Sequence, residues 1–549
     1  MRHLLLSSLL AVSLLSSSHH GAAQGLAKQW DKTFSMGYDK LAQIQATSDG
    51  GSVAAGYTST SSGSDYWIVK LNAAGTKQWD RTIGGPGPDM ATCIQPTQDG
   101  GYIVGGNTSG IGTGRDKSQA NHGSTDYWVV KLDANGTKQW DRTFGGTAYN
   151  LMTQVQQTSD GGYLLVGYSN SGISGNKTQP NLGLPSTIDI WLVKLDASGA
   201  KQWDKTIGGT GNDYPYSLLL TTDGNYLIGG SSESDVGYDK TQPRQGSADG
   251  WLVKVAANGT KLWDKTYGSP NPGNDPLPIG QSPRAEHYIK AVLPTLDGGY
   301  LLSANSNAAS GGDKSQNGQG YEDFWILKVD ATGNKIWDKT YGGSLSDNVT
   351  EAQPTSDGGY LIAGSSNSPI NGDKTQANYG IQTSTDYWLV KLDANGLKQW
   401  DQVIKGNYVD ELAGLALTLD GGYVLGGMSV SDMGGDKSQP CQGEFDYWIV
   451  KLSPLAATAT SATSPRSLLS AYPNPAHGRL MVQLPEEAPR TELQVSLLDA
   501  TGRTVYAQPL RAAPGSTNPV EIGQHPAGLY LLRLEGPKGY LATLQLILR

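Results

Sequence analysis

Cysteine is almost absent: two residues in a chain of 549. That excludes a disulfide framework, and the separation of Cys93 and Cys441 in the repeat pattern described below predicts two unpaired thiols. Charge is sparse, at 17% of residues, which excludes a coiled coil or a helical solenoid, both rich in Glu, Lys, Ala and Leu. A positive excess is missing too. The formal charge is −9, which argues against a nucleic-acid partner bound by phosphate neutralisation. No G-x-S-x-G, H-E-x-x-H, C-x-x-C or D-x-D-x-D-G run occurs. His122 and His287 are the only histidines in the repeats and cannot make a three-His metal site. No cofactor and no metal is expected.

What is abundant is glycine, with 73 residues, together with 14 Trp and 27 Tyr, which exclude a mostly disordered chain. Met1-Arg2-His3, the apolar run Leu4 to Leu15 and the small residues Gly21-Ala22-Ala23 predict a signal peptide over residues 1–23. That run is too short to span a bilayer, and no later run is long enough, so no transmembrane span is expected.

Internal repeats dominate the rest. The block D-Y-W-(I/V/L)-V-K-L-D-A-x-G-x-K-x-W-D puts its first Trp at 67, 128, 191, 251, 325, 388 and 448. Its second Trp falls at 79, 140, 203, 263, 337 and 400, and one further copy, Lys28-Gln29-Trp30-Asp31, stands alone near the N-terminus. A second block, T-x-D-G-G-Y, recurs at Asp49, Asp99, Asp160, Asp223, Asp297, Asp357 and Asp420. Each repeat reads as four strands. Strand A precedes the Asp-Gly-Gly turn and strand B follows it. Strand C carries D-Y-W, and strand D carries W-D after a turn such as Asp133-Ala134-Asn135-Gly136, whose Asn and Gly suit a hairpin. Four antiparallel strands make one propeller blade. The last repeat stops at strand C while an orphan strand D surrounds Trp30, so pairing the two closes a ring and removes its free edges. The expected fold is all-β: a seven-bladed β-propeller over residues 24–452, then a small Ig-like β-sandwich over 471–549.

A residue required in every blade is most simply a packing residue, so the tryptophans are assigned to the seams between blades. An approximate register sets Val129 opposite Trp140, with the two Trp of a repeat on opposite faces. A ring of sugar-stacking aromatics is the functional alternative. The Asp before each strand C (65, 126, 189, 249, 323, 386 and 446) is expected to accept backbone amides or pair with a Lys. The A–B and C–D turns are short and uniform, whereas the D–A and B–C loops are long and variable and open on one face, which is therefore the expected binding face. Six B–C loops share a signature, as in Asp116-Lys117-Ser118-Gln119. It starts at Asp116, Asn176, Asp239, Asp313, Asp373 and Asp436 and is absent from the first repeat. It can stiffen the loop from within or bind sugar hydroxyls; one carboxylate followed by a Lys is a poor calcium cage. The Trp263–Trp337 interval is longer than its neighbours, and the extra residues, Ser269 to His287, bring together Arg284, Glu286 and His287. The candidate ligand residues are thus Asp116, Asp239, Asp313, Asp373, Asp436, Arg284, Glu286 and His287. No catalytic residue is assigned.

Residues 453–470 read as a Ser/Thr/Ala/Pro linker. Beyond it, Tyr472-Pro473-Asn474-Pro475, then Leu498-Asp499-Ala500-Thr501-Gly502-Arg503, then Pro526-Ala527-Gly528-Leu529-Tyr530 resemble the type A sorting domain of the Bacteroidota type IX secretion system. The D-G-G-Y and D-Y-W repeats resemble propeller cargo attached to such domains. The resemblance implies recognition by the secretion machinery through residues 471–549, with Tyr472, Pro473, Asn474, Pro475, Gly502, Gly528 and Tyr530 as the sorting signal. It further implies removal of this domain and release or surface attachment of the cargo. The negative charge falls in the propeller region, which disfavours polyanions. The expected function is a secreted or cell-surface binding or adhesion module for extracellular carbohydrate or protein. The alternatives are a polysaccharide-degrading hydrolase or lyase with its site on the long-loop face, and a structural surface protein.

Overall fold

The structure is a computed structural model. It describes residues 25–454 apart from 61–62, 272–283 and 381–383, and residues 469–548 apart from 485–487, 491, 499–503, 512, 524, 526–527 and 537–540. The signal peptide and most of the expected linker lie outside the described residues. Those described contain strands and turns but no helix, arranged as seven four-stranded sheets and one six-stranded sheet.

Each four-stranded sheet has strands A to D in chain order. Sheet 1 is Tyr38–Ala46, Ser52–Thr60, Gly63–Leu71 and Lys77–Ile83. Sheet 2 is Asp89–Pro96, Tyr102–Thr108, Asp126–Leu132 and Lys138–Phe144. In sheets 3 to 6 strand A begins at Asn150, Asp213, His287 and Asp347, and strand C at Asp189, Asp249, Asp323 and Asp386. Sheet 7 takes Asp410–Leu417, Tyr423–Ser429 and Asp446–Pro454 from the end of the repeats, and its strand D is Leu26–Phe34 from the beginning, with Trp30 opposite Lys451.

Four of the seven pairs of neighbouring sheets are joined by one repeated bond, from Tyr66, Tyr127, Tyr387 and Tyr447; Ile190, Gly250 and Phe324 hold that position in the other three. The buried Tyr of D-Y-W donates its hydroxyl to the Trp carbonyl of the next sheet: Tyr66 to Trp128 at 3.0 Å and Tyr127 to Trp191 at 3.1 Å. Tyr447 of sheet 7 makes the same bond to Trp67 of sheet 1, at 3.1 Å. Strand A of sheet 1 also packs on strands A and B of sheet 7. The result is a propeller-like circuit of sheets.

Hydrophobic burial fills the seams. All seven strand-C tryptophans are fully buried. Trp128 packs with Val53, Ala55, Tyr66 and Ile68 of sheet 1, whereas Trp140 of the same repeat packs in the next seam with Trp191. Trp140 pairs with Lys131, two residues from Val129, because a bulge follows at Leu132; a two-residue slip leaves the face unchanged. The strand-D rings are half-buried and lie over the following C–D turn. A Cβ on Gly136, whose φ is 75°, would come within 2.9 Å of Trp79. The A–B turns are clamped from strand C. Lys131 reaches Asp99 at 2.8 Å, and Thr97 and the Gly101 amide bond the same carboxylate. These partners outweigh its burial and bring Asp99 down to about 2.

Every strand A carries a bulge, placing one extra residue in the ladder: Ala42, Thr92, Thr153, Tyr216, Lys290, Thr350 and Ala413. Bulges re-aim side chains. Five of these residues, from sheets 1, 4, 5, 6 and 7, line one central cavity of about 400 Å³.

The six-stranded sheet has the order Thr504–Arg511, Glu492–Leu498, Gly528–Glu535, Leu541–Leu548, Ser470–Gln483, Thr517–Gly523. Its core includes Leu480, Val495, Leu497, Val520, Tyr530 and Leu532.

Candidate functional site

The shared B–C signature is a clamp. Asp116 donates its amide to the Gly84 carbonyl at 3.0 Å and accepts the Gly84 amide at 3.2 Å, tying its loop to the exit of the preceding sheet. Asp239 does the same with Gly208, Asp313 with Gly268, Asp373 with Gly342, and Asp436 with Lys405. The Ser118 amide and Trp128 Nε1 both donate to Asp141 of strand D, and Gln119 accepts the Thr143 amide. The signature lysines are buried, with Lys117 donating to the Gly110 carbonyl. Sheet 1 lacks this loop. There Asp65, at the start of strand C, pairs instead with Arg115 from sheet 2, at 2.7 Å.

Arg284, Glu286 and His287 fall within four residues but face different surroundings. Arg284 is exposed and Glu286 half-buried. His287 is completely buried as the first residue of strand A. Its Nε2 meets Ser269 Oγ at 3.1 Å, its ring packs 4.8 Å from Trp325, and burial pushes the imidazole down to about 3. It is a neutral core residue at a position held by Asp or Asn in the other sheets, where sheet 1 uses Asp39, the second residue of its strand A.

That position belongs to a second repeated device. The first residue of strand A lies beside the Asp that opens strand C of the preceding sheet. Between sheets 2 and 3, Asn150 Nδ2 donates to Asp126 Oδ1 at 3.1 Å. Between sheets 3 and 4 both residues are aspartates. Asp189 accepts the Leu182 amide and Asp213 accepts the Gly209 amide and Ser234 hydroxyl, all through Oδ2, while both Oδ1 atoms are buried without a partner. Burial and mutual repulsion hold Asp189 at about 7, and burial holds Asp213 at about 6. Asp323 and Asp347 repeat the arrangement between sheets 5 and 6, and Asp323 is likewise raised to about 7 by burial. Burial and like charge thus favour a proton on one carboxyl of the Asp189–Asp213 pair.

The strongest departure from the repeat lies along the central cavity. Tyr168 and Tyr214 stand 5.3 Å apart between ring centres, and Tyr216 and Tyr288 6.1 Å apart. Lys290 Nζ lies 3.9 Å from the centre of Tyr216 and 5.6 Å from that of Tyr288. Tyr288 donates its hydroxyl to Glu286 at 2.8 Å. Of these, Tyr216 and Lys290 line the cavity, with Gln43, Gln154, Asn305, Asn348, Val349 and Glu351. Burial raises the Glu351 carboxyl to about 7 and lowers the Lys290 ammonium. Tyr214, Tyr216, Tyr288 and Lys290 occupy the half of strand A that follows the D–A loop, and Tyr168 and Asn305 stand near the end of strand B, so these groups lie toward the long-loop face. Of the residues named here only Glu286 was singled out from sequence, although the bulge position, Ala or Thr in five sheets and Tyr216 or Lys290 in two, marks the site once the repeats are aligned on strand A.

Among the described residues no three His, Cys, Asp or Glu side chains are grouped to hold a metal ion. Cys93 is buried and Cys441 half-buried, both as free thiols. No helix among the described residues is long and apolar enough to cross a membrane. Of the sorting signature, Tyr472 to Pro475 lie in the strand Ser470–Gln483, Gly528 opens its strand, and Tyr530 is buried in the core. Gly502 lies outside the described residues.

The chain is 25% identical over 338 residues to the regulatory protein FlaEY of Caulobacter vibrioides, covering 59% of this chain and 34% of that protein, so it spans about a third of that relative's length. Among solved structures it is similar to puromycin hydrolase (TM-score 0.41, 13% identity, 82% of this chain and 59% of that one). It is also similar to Sqt1 from Chaetomium thermophilum (0.39, 10%, 79% and 100%) and to the Neurospora crassa Pan2 WD40 domain (0.34, 10%, 67% and 90%). Residues 470–548 match the secretion system C-terminal sorting domain, so the chain is a cargo of the type IX secretion system, exported to the cell surface or the medium.

Proposed function

We propose that residues 24–452 form a seven-bladed β-propeller acting as an extracellular binding or adhesion module, with its ligand in the central cavity at the long-loop face. Residues 1–23 serve as the signal peptide, 453–470 as the linker, and 471–549 as an Ig-like β-sandwich read by the secretion machinery. The observation that carries the ligand assignment is Tyr216 on the cavity wall with the amides of Gln154, Asn305 and Asn348, its ring backed by Tyr288. Half-buried ring faces next to amide donors and acceptors suit a sugar, which presents an apolar face and a rim of hydroxyls. A cavity of about 400 Å³ is the size of a short glycan segment rather than a folded partner. The B–C aspartates support the site indirectly, by fixing the loops around it.

The test is binding of the exported chain to an array of plant, algal and microbial polysaccharides. The expected result is a hit that Tyr216→Ala and Tyr288→Ala each weaken at least tenfold with little change in Tm. Silence across the array, or binding indifferent to both substitutions, refutes the assignment. A second reading, a polysaccharide hydrolase or lyase, is favoured by one observation: Glu351, held at about 7 by burial and so able to exchange a proton near neutrality, lines the same cavity as Lys290. A bound polysaccharide that shortens over hours selects it.

A further inference from the structure

We propose that the central cavity recognises an acidic sugar, with Lys290 binding the carboxylate of a uronic acid residue. This rests on the carbohydrate reading above and narrows it. Lys290 differs from the other buried lysines in what it touches. The seven lysines at the ends of strand C reach the turn aspartates, at 2.6 to 2.8 Å. The six loop lysines donate to carbonyl or hydroxyl oxygens. Lys290 meets two ring faces, and among the described residues no oxygen lies within hydrogen-bond distance of its Nζ. A ring face attracts the cation but takes none of its N–H bonds, so up to three charged donors are left over in a half-buried place.

The neighbouring amides lean the same way. The Gln43 oxygen accepts the Ile94 amide at 2.8 Å, and the Asn348 oxygen accepts Asn305 Nδ2 at 3.2 Å. Their NH2 groups remain as donors on the cavity wall. Glu351, raised to about 7 by burial, adds an O–H when it carries its proton. A wall with surplus donors and one cation suits an oxygen-rich anion, and a charge-assisted bond to a carboxylate is the strongest contact it can make. Glu322, which acts on the Lys290 charge, and Glu286, bonded to Tyr288, are the carboxylates nearby. They limit the site to one anionic group and oppose a dense polyanion, in keeping with the acidic propeller region. Lysine is also a departure from the Ala or Thr of five other bulges, so the fold does not require it.

The experiment is titration calorimetry of the exported chain with di- to tetrasaccharides of galacturonate, glucuronate and mannuronate, each beside its carboxyl-reduced form and a tetraglutamate peptide. The expected result is that at least one acidic sugar binds about tenfold or more tighter than its reduced form. Lys290→Gln abolishes that preference, and Lys290→Arg keeps most of it. Equal binding of acidic and reduced sugars overturns the carboxylate assignment and leaves the carbohydrate reading standing. Binding of neither overturns both. Binding of tetraglutamate alone assigns the lysine to an acidic peptide and overturns the sugar. Lys290→Arg separates a lost contact from a lost fold, since it restores the charge at the same place.

Discussion

Asp213→Asn converts the seam between sheets 3 and 4 into the one that exists between sheets 2 and 3, where Asn150 faces Asp126. In the parent chain Asp189 and Asp213 are both raised, to about 7 and about 6. A carboxyl raised in the folded state holds a proton that the unfolded chain releases near pH 4. The stability tied to that proton is therefore complete below about pH 4 and is lost as pH rises through about 6 to 7. One shared proton retained over about three pH units bounds the loss at about 4 kcal/mol. Relaxation of the pair and its bonds to Gly209, Ser234 and Leu182 reduce this to about 2 kcal/mol. The amide supplies the donor permanently, so Asp213→Asn is expected to be neutral at pH 5 and stabilising by about 1–2 kcal/mol at pH 8. In a folded unit of this size that is a Tm difference of about 1–2 °C. The assay is calorimetric unfolding of parent and variant in half-unit steps from pH 5 to 8.5, read as the difference in Tm at each pH. A difference that does not change with pH, or a variant several degrees less stable throughout, shows that the two orphan oxygens do not share a proton.

Other perturbations probe the circuit and the turns. Tyr447→Phe removes the buried bond to the Trp67 carbonyl and is expected to cost about 1–2 kcal/mol, the same as Tyr66→Phe, by chemical denaturation; an inconsequential Tyr447→Phe beside a costly Tyr66→Phe would mean that the sheet 7–sheet 1 seam is open. Lys131→Met leaves Asp99 half-exposed and free to rehydrate, so a loss of about 1 kcal/mol is expected at pH 7. Because Asp99 is lowered to about 2, that difference should fade as pH falls from about 4 toward 2, and a difference persisting at pH 2 would point to packing rather than charge. Reductant should leave the thermal midpoint unchanged, since Cys93 and Cys441 are free thiols, and a drop on adding it would reveal a disulfide.

How much of this was legible follows from what repeats do to a sequence. A residue needed in every sheet appears seven times, so the Trp, Asp-Gly-Gly and D-Y-W patterns expose strands, turns and the pairing of the strand around Trp30 with the last strand C, though not its register, without any knowledge of contacts. The same logic identifies the B–C signature but not its task. Asp, Ser and Gln can serve a ligand or a backbone equally well, and only the bonds to Gly84, Asp141 and Thr143 distinguish the two. His287 misleads for a related reason. Beside Arg284 and Glu286 in a long insert it looks like part of a cluster, whereas it is the strand-A residue of sheet 5, and its immediate neighbours in sequence project elsewhere.

The central site escapes a reading by composition because its residues are ordinary. Tyrosine at 214, 216 and 288 follows the same alternation that a half-buried strand would show anyway. What makes it a site is the bulge in strand A, which shifts the register between Pro215 and Ser217 and again between Ile289 and Ala291. Without the bulge, Tyr216 and Lys290 would hold ladder positions in strands whose alternate residues are buried, and a lysine there would need an oxygen partner like those of the strand-C lysines. With it, the extra residues of five strands, from sheets far apart in sequence, meet at the central cavity. The repeat thus fixes a frame in which one position per sheet is free of packing duty. Variation at that position does not threaten the seams, so a ligand site can change its chemistry, from Ala42 to Lys290, on a scaffold held by the tryptophans, the tyrosine bonds and the carboxyl pairs around it.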